Sequence, residues 1–289
     1  MKLGFIGAGT VGTALALSLA NRGYTIVAVA SRTFASAHRL ADSVPACRAV
    51  ASGQEVVESA EVVFITTPDD AIQKVVEGLI WREGVAVVHC SGAADTTILA
   101  SAKAKGARTG GFHPLQSFAS AEEAIQNLPG SVFALEAEEP LLSILKELAE
   151  ALGGSWVELA ASDKVLYHTA AVFVSNYTVA LMKMATDLWA SFDVPTGEAT
   201  RALLPLLKGT VNNIERVGLP GCLTGPIARG DLGTIRRHLE MLEKSFPALV
   251  APYRELGLQD VPVALAKGTI DEDRARELEE MLRAEPKEV

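Results

Sequence analysis

The chain opens with an apolar strand pattern, Lys2–Ile6, that runs without a break into Gly7-Ala8-Gly9-Thr10-Val11-Gly12 and on into a helical pattern from Val11 to Arg22. No other feature restricts the possible folds as much. A GxGxxG spacing at a strand-to-helix turn gives each glycine a task. Gly7 permits the tight turn, Gly9 lets a bound group approach the backbone, and Gly12 lets helix and strand close on each other. The helix start, at Thr10 and Val11, adds unpaired N–H groups and the positive end of a dipole, a setting for a pyrophosphate. The pattern predicts a dinucleotide-binding unit; the bland alternative is a glycine-rich turn that binds nothing.

The rest of the first half repeats the strand–helix unit. Candidate strands recur at Thr25–Ala30, Val62–Thr66, Val85–Cys90 and Ser131–Leu135, with weaker ones at Ala46–Val50, Arg108–Phe112 and Trp156–Leu159. Helical stretches at Ala35–Ala41, Asp70–Leu79 and Leu141–Leu152 lie between them. Such alternation predicts a parallel sheet covered by helices on both faces. After Ala160 the strand signal stops. Helical patterns follow at Asp163–Ser191, Thr196–Val217, Asp231–Leu256 and Asp271–Arg283, punctuated by Pro195, Gly218–Pro220, Gly225-Pro226, Gly257 and Pro262. The expected fold class is therefore α/β, a doubly wound and mainly parallel sheet in residues 1–160, followed by an all-α domain in residues 161–289. At 289 residues and 49% hydrophobic composition the chain can fill two cores.

Charge and cysteines narrow the function classes. Lys plus Arg number 26 against 35 Asp plus Glu, a net charge of −9 that repels phosphate backbones and anionic membranes on average. Cys47, Cys90 and Cys222 are too few and too scattered for a disulfide framework or a zinc site. The apolar stretch Thr169–Met182 is interrupted by Ser175, Asn176 and Tyr177 and falls short of a bilayer span. With the first residues entering a strand rather than a leader, the expectation is a soluble cytoplasmic protein with a small-molecule ligand.

The tips of the strands supply candidate ligand contacts. The second strand ends in Ser31-Arg32-Thr33, with no carboxylate to meet a ribose 2′-hydroxyl. A guanidinium between hydroxyls suits a 2′-phosphate and so favours NADP, the bland alternative being an exposed Arg32 that caps the next helix with Thr33. Thr67-Pro68 and Ser91-Gly92 are polar turns where open α/β sheets take ligands, expected near the adenosine and nicotinamide halves respectively. Asp69 and Ser91 could instead be helix caps. His113, in GGFHPLQSF, sits on a rigid turn and could donate to a ligand or hold that turn. Downstream, Lys164, His168 and Ser175 fall within roughly 40° of one another on a helix, with Asn176 about 80° from His168. A buried polar stripe needs partners, from a ligand or from protein. Arg229, in LTGPIARGD, could bind a substrate carboxylate or pair with Asp231.

Taken together, GAGTVG, SRT, HCSG, FHPLQSF, YHTAAVFVSNY and LTGPIARGD resemble a family of bacterial Rossmann-like proteins provisionally assigned as NADP oxidoreductases, with a helical carboxy-terminal domain of unknown function. The wider superfamily has a 6-phosphogluconate dehydrogenase-like helical domain. It includes ketopantoate and pyrroline-5-carboxylate reductases and deazaflavin-dependent NADP reductases. The resemblance implies NADP(H) in the first domain, a substrate cleft between domains, and a homodimer formed through the helical domain. Hydroxyacid dehydrogenases of the superfamily place a catalytic Lys four residues before an Asn. Here Lys164 precedes His168 by four and Asn176 lies further on, so that assignment does not transfer.

The function expected from these observations is NADPH-dependent reduction of a small carbonyl compound, a 2-oxo acid such as ketopantoate. His168 or Lys164 would donate the proton and Asn176 would contact the oxygen. Ser91, His113, Ser175 and Arg229 would orient the substrate. A cyclic-imine reductase of the pyrroline-5-carboxylate type, or a non-catalytic NADP(H)-sensing protein, are the alternatives.

Overall fold

Each of the eight strand patterns forms a strand, and all join one sheet. The structure, a computed structural model, describes residues 1–284. Its strands are β1 (Lys2–Ile6), β2 (Thr25–Ala30), β3 (Arg48–Ala49), β4 (Val62–Ile65), β5 (Ala86–His89), β6 (Arg108–Leu115), β7 (Val132–Ala137) and β8 (Ser155–Glu158). They lie in the order β3-β2-β1-β4-β5-β6-β7-β8, and only β6 and β7 are antiparallel. The chain builds outward from β1 first to one side and then to the other. The carboxyl ends of β1 and β4 therefore flank the crevice where such sheets take ligands.

Seven helices join these strands: α1 (Thr10–Asn21), α2 (Phe34–Asp42), α3 (Gly53–Ser59), α4 (Asp69–Glu77), α5 (Ala100–Lys103), α6 (Ala121–Asn127) and α7 (Leu141–Ala151). Alternation along β1 sends Leu3 and Phe5 into a core with α1, α6 and α7, while Ile6 enters a second core with α3 and α4. The rings of Phe5, Phe64, Phe112 and Phe133 form a row through the first core, with centroids 4.8–5.8 Å apart. The sheet's carboxyl edge has a step. β5 stays with β6 only to the His89–Gly111 pair, whereas β7 accompanies β6 to Leu115. Phe112, His113, Pro114 and Leu115 project beyond β5.

The chain divides into two compact units, Met1–Asn176 and Tyr177–Val289. Helix α8 (Lys164–Val174), whose pattern reads as the head of the second half, therefore belongs to the first unit. The second unit holds α9 (Asn176–Ala190, entering from the first), α10 (Thr196–Val217), α11 (Leu232–Ser245), α12 (Val250–Lys267) and α13 (Glu272–Arg283). Ile235, Leu239, Val261, Ala264 and Leu278 form its core.

Two helix boundaries differ from the sequence pattern. The stretch Asp231–Leu256 breaks at Phe246, where Pro247 starts a 3-10 turn, and α12 then continues through both Gly257 and Pro262. Those residues cost about 1 and about 3 kcal/mol in a helix interior. Burial offsets that cost here. Val261 and Ala264 are in the core, and a Cβ on Gly257 would lie 3.0 Å from Leu282. The stretch Asp163–Ser191 is likewise interrupted, at Ser175.

Candidate functional site

At the end of β1, Gly7 has φ +117°, and a Cβ there would stand 2.6 Å from the Thr66 carbonyl. Thr66 Oγ1 donates to the Gly7 carbonyl at 2.7 Å, tying the end of β4 to this turn. A Cβ on Gly12 would collide with the Gly7 carbonyl oxygen and Thr66 Oγ1. Gly9 differs: nothing lies within 4 Å of the position its Cβ would take. It begins α1 without any side-chain cap, so the first-turn N–H groups of Thr10 and Val11 are left to an outside acceptor. Thr67 Oγ1, at the adjoining tip of β4, is buried with no hydrogen-bond partner among the described residues. An open glycine backed by two crowded ones, uncapped donors and an orphaned hydroxyl fit a dinucleotide pyrophosphate.

Beyond β2, Ser31 is half-buried and Arg32 exposed. Thr33 precedes α2 but makes no capping hydrogen bond, so the capping alternative for this segment loses its main contact. Arg32 has no hydrogen bond or ion pair among the described residues. A cleft of about 510 Å³ adjoins the glycine turn, lined in part by Gly9, Thr10, Thr13, Ser36 and Arg39. Arg39 donates to Ser36 Oγ at 3.0 Å. This second guanidinium was missed in the sequence, where its signal was only a basic residue two helical turns beyond Arg32.

Pro68 precedes α4 without capping it through a side chain, and Asp69 is the first residue of that helix rather than its cap. The Asp69 carboxylate instead accepts from Ser91 Oγ at 2.5 Å, and Ser91 Oγ accepts from the Ala94 N–H at 3.1 Å. Ser91 is only 2% exposed. Its hydroxyl pins the β5 tip to α4 instead of facing an open cleft.

The richest chemistry lies one strand further on. His89 on β5, Gly111 on β6 and Glu136 on β7 form one rung of the sheet. Gly111 has no side chain, and the space above it admits Lys164 from α8. A Cβ on Gly111 would be 3.0 Å from Lys164 Nζ and 3.3 Å from His89 Nε2. Lys164 is 1% exposed, and its ammonium sits 3.5 Å from Glu136 Oε2. Glu136 Oε1 accepts from both Thr96 N–H (3.1 Å) and Thr96 Oγ1 (2.8 Å).

Two residues along β6, His113 Nδ1 lies 2.8 Å from the Tyr167 hydroxyl, and its ring stands 6.1 Å from that of His168. Both imidazoles crowd Gly92, whose Cβ would meet His168 Cδ2 at 2.6 Å and His113 Nε2 at 2.8 Å.

Burial sets the ionisation of this cluster. It lowers His89 to about 3, with the Lys164 charge acting in the same direction, and lowers His113 to about 4, assisted by His168 and Lys164. Burial also pulls Lys164 down, opposed by Glu136, and pushes Tyr167 up to about 12. Both histidines are neutral near pH 7.

Lys164, His113 and His168 are thus brought together. His89, Glu136 and Tyr167 join them without having been foreseen. The expectation of a buried α8 carrying a four-residue stripe is corrected. Lys164 is the buried residue of α8, whereas Ser175 and Asn176 are exposed. The helix ends at Val174, so the angular count from Lys164 does not carry to them. Arg229 lies in the second unit, exposed, beside a groove with Asp271, Asp273 and Arg274. It forms no ion pair with Asp231, whose carboxylate caps α11 through the Thr234 N–H at 3.0 Å.

Residues 1–114 match the Rossmann-like domain family, and residues 131–259 match the domain of unknown function DUF2520. The chain thus carries a Rossmann-like match followed by a DUF2520 match. Among solved structures, a Thermotoga maritima protein is 29% identical, with 92% of this chain and 99% of that one covered at a TM-score of 0.74. A Bacteroides fragilis protein provisionally named an NADP oxidoreductase is 27% identical, with 96% and 98% covered at a TM-score of 0.71. A reductive aminase from Aspergillus terreus, solved with NADPH and ethyl levulinate, is 19% identical with a TM-score of 0.66, covering 96% and 97%; that likeness speaks to the fold alone. No protein of curated function matches the sequence.

Proposed function

We propose that this protein is an NADP(H)-dependent oxidoreductase that reduces a small substrate at a C=N bond beside His113 and His168. NADPH, when bound, supplies a hydride. Gly7, Gly9, Gly12 and the N–H groups of Thr10 and Val11 would hold its pyrophosphate. Ser31 and Arg32 would hold the 2′-phosphate, and Thr67 and Pro68 would border the adenosine half. The Bacteroides relative's name supports this cofactor.

The observation that carries the choice of substrate is the balance of charge. Asp69, Asp95 and Glu136 act on the cluster against one ammonium, Lys164, which is itself paired with Glu136. With His89 and His113 neutral and Lys164 paired, the cluster offers a carboxylate no unpaired ammonium. A protonated imine is a cation, whereas a 2-oxo acid such as ketopantoate is an anion that would find no unpaired lysine here. Imine reduction also asks less of a proton donor, because an iminium carbon accepts hydride directly. Lys164 in this reading sets the field of the site, and His113 and His168 line the reacting group.

The test is NADPH oxidation over cyclic imines, pyrroline carboxylates, ketone–amine mixtures and 2-oxo acids. Imines are expected to exceed 2-oxo acids by tenfold or more in kcat/KM. The reverse order would overturn the charge argument. Tight NADPH binding with no turnover over the whole panel would favour the sensing alternative.

We also infer that two copies associate through the apolar helices. The stretch Ala161–Ala190 is long and apolar enough, by length and composition alone, to cross a membrane, and its most apolar window is uncovered. Val165 (64% exposed), Leu166 (75%), Val179 (71%) and Leu206 (70%) belong to such surfaces. Lys164, His168 and the Lys183–Asp187 ion pair within that stretch favour a protein partner over lipid. Light scattering should give twice the chain mass, with Leu166→Glu shifting it to one. The free Cys47, Cys90 and Cys222 agree with a reducing compartment such as the cytoplasm.

A further inference from the structure

The Tyr167 hydroxyl approaches His113 on one ring nitrogen while the other is turned toward Gly92. The Tyr167 hydroxyl can donate to Nδ1 or accept from an Nδ1–H. Were it to accept, its own hydrogen would need another acceptor, and none of the described residues provides one. The phenol therefore donates and Nδ1 accepts; burial keeps the phenol protonated and the imidazole uncharged. An imidazole that accepts at Nδ1 and is neutral must carry its proton on Nε2. That nitrogen makes no hydrogen bond to any described residue, and it borders the Gly92 backbone where the His168 ring also converges.

We propose that Tyr167 is a positioning residue that fixes His113 as the Nε2–H tautomer, so that a neutral donor is held at the Gly92 face for an acceptor atom of the substrate. The proposal rests on the reductase reading for its substrate, but not for the tautomer. His113 holds that acceptor by hydrogen bonding, and its proton stays on nitrogen. Passing it on would require the Tyr167 proton to move to Nδ1, leaving a buried phenolate. The charged and titratable groups facing His113 are Asp69 from α4, Lys164 and His168 from α8, and His89 from β5. Only Asp69 among those acting on His113 favours its protonation, so the neutral form holds above about pH 5. Gly92 has a matching part: without a side chain it leaves both rings room to approach.

The test begins on ligand-free protein labelled with ¹⁵N-histidine, where long-range proton–nitrogen correlations distinguish the tautomers. The His113 signals, identified by their loss in His113→Gln, are expected to show an unprotonated Nδ1 and a protonated Nε2 at neutral pH. Tyr167→Phe is expected to give a mixture of tautomers and a fall in kcat of about 5–10-fold, with NADPH affinity unchanged. The Tyr167→Phe effect should vanish in the His113→Gln background, where the amide supplies its own donor. A protonated Nδ1 in the wild-type protein would overturn the proposal, whatever the variants do. So would a Tyr167→Phe protein with the wild-type nitrogen pattern and kcat. Failure to bind NADPH at all would instead strike the reductase reading, since the wild-type tautomer is read without ligand.

Discussion

The Lys164 ammonium lies 3.5 Å from Glu136 Oε2, and both meet above a residue that has no side chain, Gly111. A buried pair of this kind does not need to be net stabilising, but removing one partner strands the other. Lys164→Met is therefore expected to cost about 3 kcal/mol, while Lys164→Met with Glu136→Gln should recover most of that loss. Urea denaturation of the three proteins decides it. A double variant no more stable than the single one would show that the carboxylate is not the stranded group.

Acid should weaken the first unit through its histidines. Burial holds His89 at about 3 and His113 at about 4, against about 6.5 in an unfolded chain. The unfolded chain then binds more protons over that interval, so stability rises with pH there and is lost as pH falls below about 6.5. Down to pH 4.5 the effect is at most about 3 kcal/mol per histidine. Denaturation midpoints at neutral pH and near pH 4.5 should differ accordingly, and His89→Asn should flatten the profile. Equal midpoints in the wild-type protein would contradict the buried, neutral state of both rings.

Gly9 and Gly12 should respond in opposite ways to a methyl group. Gly9 has φ −83° and open space around its Cβ position, so Gly9→Ala should fold with an unchanged melting temperature yet lose NADPH affinity. Gly12→Ala would press on the Gly7 carbonyl and Thr66, lowering the melting temperature itself. Calorimetry and thermal melts on both variants separate the two roles. Normal NADPH binding by Gly9→Ala would remove the pyrophosphate from this turn.

Arg32 has no protein partner among the described residues and stands at the tip of β2. Arg32→Ala is expected to cost about 1.5–3 kcal/mol of NADPH binding and almost nothing for NADH. Equal losses for both dinucleotides would move the 2′-phosphate away from Arg32, with Arg39 the next residue to substitute.

Much of the fold was legible because its signals are local. Lys2–Ile6 and Thr25–Ala30 are bounded by turn residues, and Thr196–Val217 carries an uninterrupted helical period despite Pro205. Gly257 and Pro262 misled because the core that retains them in α12 is built by Leu278 and Leu282, residues distant in sequence. The site divides in the same way. Lys164 and His168 share a helix face and could be grouped by counting. Glu136 and His89 could not, because their meeting depends on the register of three strands and on the single antiparallel step between β6 and β7. Glu136 did leave a trace, a lone charge in the strand VFALEA. Tyr167 left none, since a tyrosine beside a histidine in a helix reads as ordinary packing.

The overhang of β6 past β5 makes the site a matter of parity. Gly111 and His113 are two residues apart and so share one side of the sheet, while Phe112 between them fills the core on the other. A single residue inserted after Gly111 would send the imidazole into the aromatic row and bring a phenyl ring to face α8. Insertions here should be tolerated only in pairs, and even a pair would carry His113 about 7 Å further from the rung that holds Lys164 than it now stands.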